Sequence, residues 1–220
     1  TCALPISPTQ LRDQAVREKR GPALADKVIV LDPSSRSDVA EIVYDIAQKI
    51  EGRLIALGVS VFLSRSAQST PSESERIALA NSTDADLVIS LSVDKYPNEK
   101  AEGISTYFYG SELHGIHSIV GERFATIVQR ELVARTDLLN ARTHSKTWDL
   151  LRLTKAPTVR IEMGYATNPK DASRLADSHF RDVIAEGVVV AIQRLYLSAE
   201  EDAKTGTLRI EDLRRAGIRR

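Results

Sequence analysis

The sequence predicts an α/β fold: a single domain with a mostly parallel central sheet flanked by helices. Short apolar runs alternate with segments of helical periodicity along most of the chain. The chain has 220 residues, the size of one domain, and 42% of them are hydrophobic. A core of that size needs no disulfide, and the single cysteine, Cys2, has no partner in the chain to form one.

The first strand, helix and second strand are predicted to form a βαβ unit. Residues 28–31 are a short apolar run that stops at Asp32, as is typical of a buried parallel strand. Helical periodicity begins at Asp38 and ends before Gly58, since glycine can adopt the left-handed conformation that terminates a helix. Residues 59–63 are then a second strand, parallel to the first.

The alternation continues along the chain. Further strands are predicted at 87–91, 104–109 and 158–162, and further helices at 72–81, 115–133 and 180–197. The sequence contains no internal repeat, and it lacks the glycine-rich phosphate loop, the dinucleotide fingerprint and the serine-hydrolase elbow. Nucleotide-binding and serine-hydrolase functions therefore have no motif to support them.

Charge and hydropathy exclude two further classes. Lys and Arg number 30, and so do Asp and Glu, which gives a formal net charge of zero. Nucleic-acid binding depends on an excess of basic residues, so we expect no nucleic-acid partner and only local basic patches. The longest apolar runs are much shorter than the ~18 residues of a membrane span, so no transmembrane segment is expected.

The two ends are predicted to differ from the body, residues 28–197. Residues 1–27 start without a signal-peptide pattern and become polar, so we interpret them as an artefactual start and a linker. Residues 198–220 form a charged tail that is either solvated or docks on a partner as a short helix. The candidate partner-binding residues of the tail are Arg209, Arg214, Arg215, Arg219 and Arg220, and the candidate phosphorylation sites are Thr205 and Thr207.

Several segments carry a resemblance to a known family. In chain order they are Val28–Pro33, Gly58–Arg65, Glu75–Asn81, Ala85–Ser90, Gly103–Tyr107 and Pro157–Asn168. Together they resemble the zinc-dependent N-acetylmuramoyl-L-alanine amidases of the type 3 class. The resemblance implies a metal site at the carboxyl ends of the strands and cleavage of the amide between N-acetylmuramic acid and L-alanine in peptidoglycan. In that family two His and one Glu hold the zinc that activates water, and another Glu is the general base.

The ligand positions of the family are altered in this chain. Ser35 stands where the resemblance places the first His ligand, and Ser92 stands where it places the second. The loop that would carry the Glu ligand is shortened, and neither Asp38 nor Glu41 falls on that position. Serine hydroxyls are neutral, weak ligands, so we expect no tightly bound zinc and no other cofactor.

Glu162 retains the general-base position that the resemblance assigns, and Arg76 and Asn81 also fit the family pattern. A general base cannot replace a metal that lowers the pKa of water from about 15.7 to about 7. We therefore expect Glu162 to be inactive. The simpler interpretation is an acid in a polar pocket, bonded to the backbone or to Arg160.

Other residues leave alternatives open. A rearranged metal site could combine Asp38 or Glu41 with His114 or His117. These two histidines lie three residues apart near a predicted helix start, with Glu112 beside them, and could share a helix face. His144 and His179 are alone in their segments. Trp148 is either a core anchor or a contact residue.

Three functions remain after these observations. The first is a catalytically degenerate amidase-like protein that regulates, or binds within, peptidoglycan biosynthesis. It resembles the CwlM-type group of actinobacteria, and it implies a cytoplasmic protein whose partner is a peptidoglycan-synthesis enzyme or a peptidoglycan fragment. The second is an active zinc amidase with a rearranged metal site and Glu162 as base. The third is a non-catalytic peptidoglycan-binding module of the cell envelope.

Overall fold

The computed structural model describes residues 24–36, 38–111 and 115–196. The strands are β1 (Val28–Pro33), β2 (Ser60–Leu63), β3 (Leu87–Asp94), β4 (Ile104–Ser111), β5 (Ile116–His117), β6 (Asn140–Lys146) and β7 (Thr158–Tyr165). The helices are α1 (Ala40–Ala56), α2 (Glu73–Ser82), α3 (Ile119–Arg135), α4 (Asp149–Leu153), α5 (Pro169–Ala176) and α6 (Ser178–Tyr196). None of these helices is both long and apolar enough to cross a bilayer.

A single mixed sheet forms the centre of the described structure. Its strand order is β2-β1-β3-β7-β4-β5, and β6 also pairs with β4. Neighbouring strands from β2 to β7 are parallel, and so are β4 and β6, whereas β4 runs antiparallel to β7 and to β5. The prediction of one α/β domain with a mostly parallel sheet and flanking helices is therefore confirmed, with a reversal of direction between β7 and β4.

The main core lies between one face of this sheet and the helices α1, α3 and α6. The strands contribute fully buried Leu31, Ile89 and Ile161, and the helices contribute fully buried Ile46, Phe124 and Ile192. Leu24, just before β1, is also buried in this core. Burial of apolar surface, at roughly 25 cal/mol per Å², is the main force that holds these layers together.

The predicted βαβ unit and the start of α2 are confirmed. β1 and β2 pair in parallel, and Gly58 adopts a φ of +85° at the end of α1. Ser72 caps α2: its hydroxyl accepts the Glu75 N–H, and the Glu75 carboxylate accepts the Ser72 N–H at 2.8 Å. This reciprocal pair satisfies two N–H groups that have no partner within the helix.

Residues 115–133 were predicted as one helix, and the start of that prediction is wrong. Ile116 and His117 form β5, and α3 begins only at Ile119, with Ser118 as its N-cap. Three further elements, β6, α4 and α5, were not predicted. The helices α4 and α5 have five and eight residues, which is too short for a clear helical period.

Candidate functional site

The face of the sheet opposite the main core is polar outside the region that α2 covers. Two of the predicted site residues, Ser92 and Glu162, lie together on this face. Ser92 of β3 lies opposite Glu162 of β7, which in turn lies opposite Ser105 of β4. The adjacent cross-strand row, from β3 to β6, consists of Ser90, Arg160, Tyr107 and His144. Alternate residues of a strand share a face, so both rows belong to one surface.

Glu162 is buried within this surface, with 3% of the residue exposed. Its Oε1 lies 3.2 Å from Arg160 Nε, and Ser105 donates its hydroxyl to Oε2 at 3.4 Å. Burial raises the pKa of Glu162 above its ordinary value, although the charge of Arg160 acts in the opposite direction. The interpretation of Glu162 as an acid paired with Arg160 agrees with these contacts, and its assignment as a general base stays a prediction.

Arg160 bridges two of the predicted site positions. Its Nη2 donates to Ser92 Oγ at 3.2 Å, while its Nε faces Glu162 Oε1. The guanidinium carbon lies 5.3 Å from the ring centroid of Trp148. Because a guanidinium stays protonated in proteins, a permanent positive charge lies between Ser92 and Glu162.

This arrangement does not fit the zinc site of the resembled family. Zinc needs imidazole nitrogens, thiolates or carboxylate oxygens that converge to about 2.0–2.3 Å from the ion. Here the Ser92 hydroxyl and the Glu162 carboxylate both face the guanidinium of Arg160, whose charge repels a divalent cation. Within the part of the chain that the structure describes, no three His, Cys, Asp or Glu residues are grouped so that they could hold a metal ion.

Ser35, the other altered ligand position, lies half-buried on a loop that Arg65 holds in place. Arg65 is 5% exposed and donates from Nε to the Pro33 carbonyl at 2.9 Å. Its Nη2 donates to the carbonyls of Ser34 and Ala40, both at 2.9 Å. These bonds satisfy backbone oxygens on a short connection between β1 and α1.

An ion-pair network connects the same loop to the end of β3. Arg36 donates from Nη2 to the Val93 carbonyl at 2.6 Å and from Nε to Asp38 at 3.0 Å. Lys95 lies 2.7 Å from the other oxygen of Asp38. The bond from Lys95 and the charge of Arg36 hold the pKa of Asp38 below its usual range. Asp38 is thus engaged by two cations, and Glu41 is exposed on α1.

Arg76 and Asn81, which the resemblance singled out, stabilise the surroundings of the site. Arg76 donates from Nη1 to Asp32 Oδ2 at 2.7 Å, and Asp32 is 1% exposed. Asn81 donates to the Leu153 carbonyl at 3.0 Å and accepts the Lys155 N–H at 2.7 Å. Arg76 thus gives the buried Asp32 carboxylate a counter-charge, and the two hydrogen bonds of Asn81 connect α2 to the segment before β7.

The structure does not bring His117 to the site. His117 lies on β5 opposite Gly110 of β4, whereas Glu162 lies opposite Ser105 of β4. Gly110 and Ser105 are five positions apart on that strand, which is roughly 17 Å at ~3.4 Å per residue. The expectation that it shares a helix face is wrong, because it lies on a strand before α3, with Nε2 3.1 Å from Glu122. Glu112 and His114 lie outside the described residues, as do Cys2, Thr205, Thr207 and the tail arginines.

Aromatic residues flank the site on the side of β6. The ring of Tyr107 lies 4.8 Å from that of Trp148 and 5.5 Å from that of His144, between centroids. Trp148 is 38% exposed and contacts Lys146 as well as Arg160, so it is not a core anchor, and its role as a contact residue stays a prediction. A cavity of about 310 Å³ is lined by Glu73, Trp148, Asp149, Leu150, Leu151 and Arg160. The remaining histidine, His179, is exposed on α6.

The sequence analysis named Arg160 as a candidate partner of Glu162, but it missed the contact of Arg160 with Ser92 and the position of Tyr107. A signal for Arg160 was present, because it is a charged residue two positions before Glu162 in an otherwise apolar strand. Residues two apart on a strand share a face, which explains the contact between Arg160 and Glu162. Tyr107 gave no such signal, since its neighbours depend on the pairing of β4 with β6 and β7.

Comparisons with known proteins agree with the fold. Residues 36–194 match the profile of a family described as N-acetylmuramoyl-L-alanine amidase. The N-acetylmuramoyl-L-alanine amidase CwlM of Mycobacterium tuberculosis is 40% identical over 222 residues, which cover 94% of this chain and 54% of CwlM. The chain thus spans about half the length of that relative.

Solved structures give the same result at lower identity. An N-acetylmuramoyl-L-alanine amidase from Clostridium difficile 630 superposes with a TM-score of 0.69 at 23% identity, covering 77% of this chain and 96% of that one. The CwlD amidase of Clostridioides difficile, solved in complex with the GerS lipoprotein, has a TM-score of 0.67 at 21% identity, covering 77% and 98%. The predicted resemblance is confirmed, and the chain belongs to the N-acetylmuramoyl-L-alanine amidase family.

Proposed function

We propose that this chain is a catalytically degenerate amidase-like protein that acts as a regulator or binding protein in peptidoglycan biosynthesis. The observation that carries the proposal is the guanidinium of Arg160, which contacts both Ser92 Oγ and Glu162 Oε1 at 3.2 Å. A guanidinium supplies positive charge but has no vacant orbital to bind water or a carbonyl oxygen. It therefore cannot act as the Lewis acid that metal-dependent amide hydrolysis requires.

The size of the missing contribution supports the proposal. Lowering the pKa of water from about 15.7 to about 7 corresponds to about 12 kcal/mol in hydroxide availability, at about 1.36 kcal/mol per pKa unit. General-base catalysis typically contributes about 10²–10⁴-fold, or about 3–5 kcal/mol. Glu162 acting alone would leave most of the difference uncompensated.

Membership of the family supports a role that involves peptidoglycan. CwlM is named as an N-acetylmuramoyl-L-alanine amidase, and CwlD, which shares the fold, was solved in complex with a protein partner. We propose a peptidoglycan-synthesis enzyme or a peptidoglycan fragment as the partner of this chain, and the cytoplasm as its compartment. The arginines of residues 198–220 remain candidates for the partner contact.

The test of lost catalysis combines metal content with hydrolysis. Protein purified without chelator is dialysed against micromolar zinc and submitted to elemental analysis, and muropeptides are incubated with the protein and added zinc. We expect well below one zinc per chain and no release of stem peptide, and we expect the Glu162→Gln variant to behave in the same way. An active amidase of the family, treated in parallel, serves as the positive control. One zinc per chain, with cleavage that Glu162→Gln abolishes, would establish an active zinc amidase instead.

The test of compartment and partner uses isolated cell walls. A binding module of the cell envelope would be retained on purified sacculi, whereas a regulator of precursor synthesis would stay in the unbound fraction. We expect this chain to stay in the unbound fraction. In a separate calorimetric experiment, we expect soluble muropeptides to produce a measurable heat of binding only if they bind in the cleft on the polar face of the sheet, around Ser92 and Glu162.

A further inference from the structure

The cavity beside Trp148 carries charges of both signs next to apolar side chains. Its volume of about 310 Å³ lies at the lower end of the range that small-molecule sites occupy. Its lining comprises a guanidinium, two carboxylates, an indole and two aliphatic side chains, namely Arg160, Glu73, Asp149, Trp148, Leu150 and Leu151. A ligand that displaces water from this cavity must provide partners for groups of both charges.

The guanidinium of Arg160 has donors that the site does not use. Its Nη2 donates to Ser92 Oγ at 3.2 Å, and its Nε lies 3.2 Å from Glu162 Oε1. Within the described residues, Nη1 donates no hydrogen bond, and the side chain is 32% exposed. Unpaired guanidinium N–H groups bind carboxylates through short, charge-assisted hydrogen bonds. Arg160 can therefore bind the carboxylate of a ligand while it keeps both of its contacts to the site.

Glu73 supplies the opposite charge. Its Oε1 accepts the Leu150 N–H at 3.2 Å, and in the part of the chain that the structure describes it forms no ion pair, with Arg160 or with any other cation. Asp149 is less available, because its Oδ1 lies 2.8 Å from Arg152 Nη2. A carboxylate without a counter-charge attracts a cation, and an ammonium group can donate three hydrogen bonds.

Opposite charges that line one cavity without pairing with each other fit a ligand that carries both. Glu73 repels a ligand with a carboxylate alone, and Arg160 repels a ligand with an ammonium alone. We propose that this cavity binds a free α-amino acid with an apolar side chain. Its carboxylate accepts from Arg160, its ammonium donates to Glu73, and its side chain packs against Trp148. The proposal goes beyond the function proposed above, because this binding requires neither a metal nor a general base.

The probe is L-leucine, measured against the full chain at neutral pH by saturation-transfer NMR. Tryptophan emission is recorded in the same titration, since Trp148 is the only tryptophan of the chain. N-acetyl-L-leucine lacks the ammonium and L-leucinamide lacks the carboxylate, so each control ligand removes one of the two charges. We expect L-leucine to change the emission and to bind about tenfold more tightly than either control, because each control loses one charge-assisted hydrogen bond.

The matched variants are Glu73→Gln at the cavity and Glu186→Gln at an exposed position of α6. Glutamine keeps an oxygen that can accept the Leu150 N–H but removes the charge. We expect Glu73→Gln to weaken binding of L-leucine about tenfold without weakening that of N-acetyl-L-leucine, and Glu186→Gln to leave both unchanged, with both variants checked for folding by circular dichroism. Equal affinity for the three ligands, equal effects of the two variants, binding without a change in emission, or no binding of L-leucine up to its solubility limit would each overturn the proposal.

Discussion

Replacement of Arg160 by methionine should destabilise the chain because it leaves the Glu162 carboxylate buried without its counter-charge. Removing one partner of a fully buried ion pair costs about 3–5 kcal/mol. The Arg160 side chain is 32% exposed, whereas that of Glu162 is 5% exposed, so solvent screening reduces this figure. We expect a loss of about 1–3 kcal/mol in the free energy of unfolding at pH 7.

The destabilisation should depend on pH in a defined direction. Burial raises the pKa of Glu162 above its ordinary value of 4.5, so the folded chain holds this proton to a higher pH than the unfolded chain does. The free energy of unfolding therefore falls as pH rises from 4.5 towards the raised pKa. The charge of Arg160 lowers the pKa of Glu162, so this pKa is higher in the Arg160→Met variant. The free energy of unfolding of that variant therefore falls over a wider pH range. The Arg160→Met effect should thus be larger at pH 7 than at a pH below 4.5.

Urea unfolding followed by circular dichroism measures this effect. With a slope of about 2 kcal/mol per molar urea for a domain of this size, the expected shift of the midpoint at pH 7 is about 0.5–1.5 M. The Glu162→Gln variant is the matched background, since it keeps the shape of the side chain and removes its charge. In that background Arg160→Met should have a much smaller effect. An equal effect at both pH values, or in both backgrounds, would refute the inferred pairing.

Three further predictions concern the loop, the metal and the cavity. The double variant Ser35→His/Ser92→His should still bind well below one zinc per chain by elemental analysis, and adding Arg160→Leu should increase the zinc content; equal zinc in both variants would show that the guanidinium does not exclude the ion. Arg65→Met should lower the free energy of unfolding by about 2–4 kcal/mol and speed amide exchange in residues 34–40, because the carbonyls of Pro33, Ser34 and Ala40 lose their donor. Unchanged exchange in that loop would show that Arg65 does not hold it in place. Trp148 is the only tryptophan of the chain, so a muropeptide that enters the cavity should change its emission; calorimetric binding without any change in emission would place the ligand elsewhere.

The sequence predicted the elements that bury a face, because burial imposes a period. The apolar run at β1 and the 3.6-residue period of α1 follow directly from this requirement, and Gly58 marks the end of the helix. β6 could not be found in this way. It lies at the rim of the sheet, and its sequence Asn-Ala-Arg-Thr-His-Ser-Lys has no apolar face.

The candidate site was only partly predictable for a related reason. The altered positions Ser35 and Ser92 follow from the order of motifs along the chain, which a sequence displays directly. The contact of Arg160 with Ser92 depends on the register between β3 and β7, and the ring contact of Trp148 with Tyr107 depends on the segment that follows β6. Such pairings join residues far apart in sequence, so no local pattern specifies them.

The arginines of this cleft explain how it can keep a defined shape without a metal ion. A bound metal would join side chains from separate elements; here guanidinium groups do so through directed hydrogen bonds. Arg65 joins β2 to the loop after β1, Arg36 joins that loop to the end of β3, and Arg160 joins β7 to Ser92. These connections hold the loop after β1, the end of β3 and β7 in fixed positions relative to one another. Their presence favours a cleft maintained for binding, which is the function that we propose.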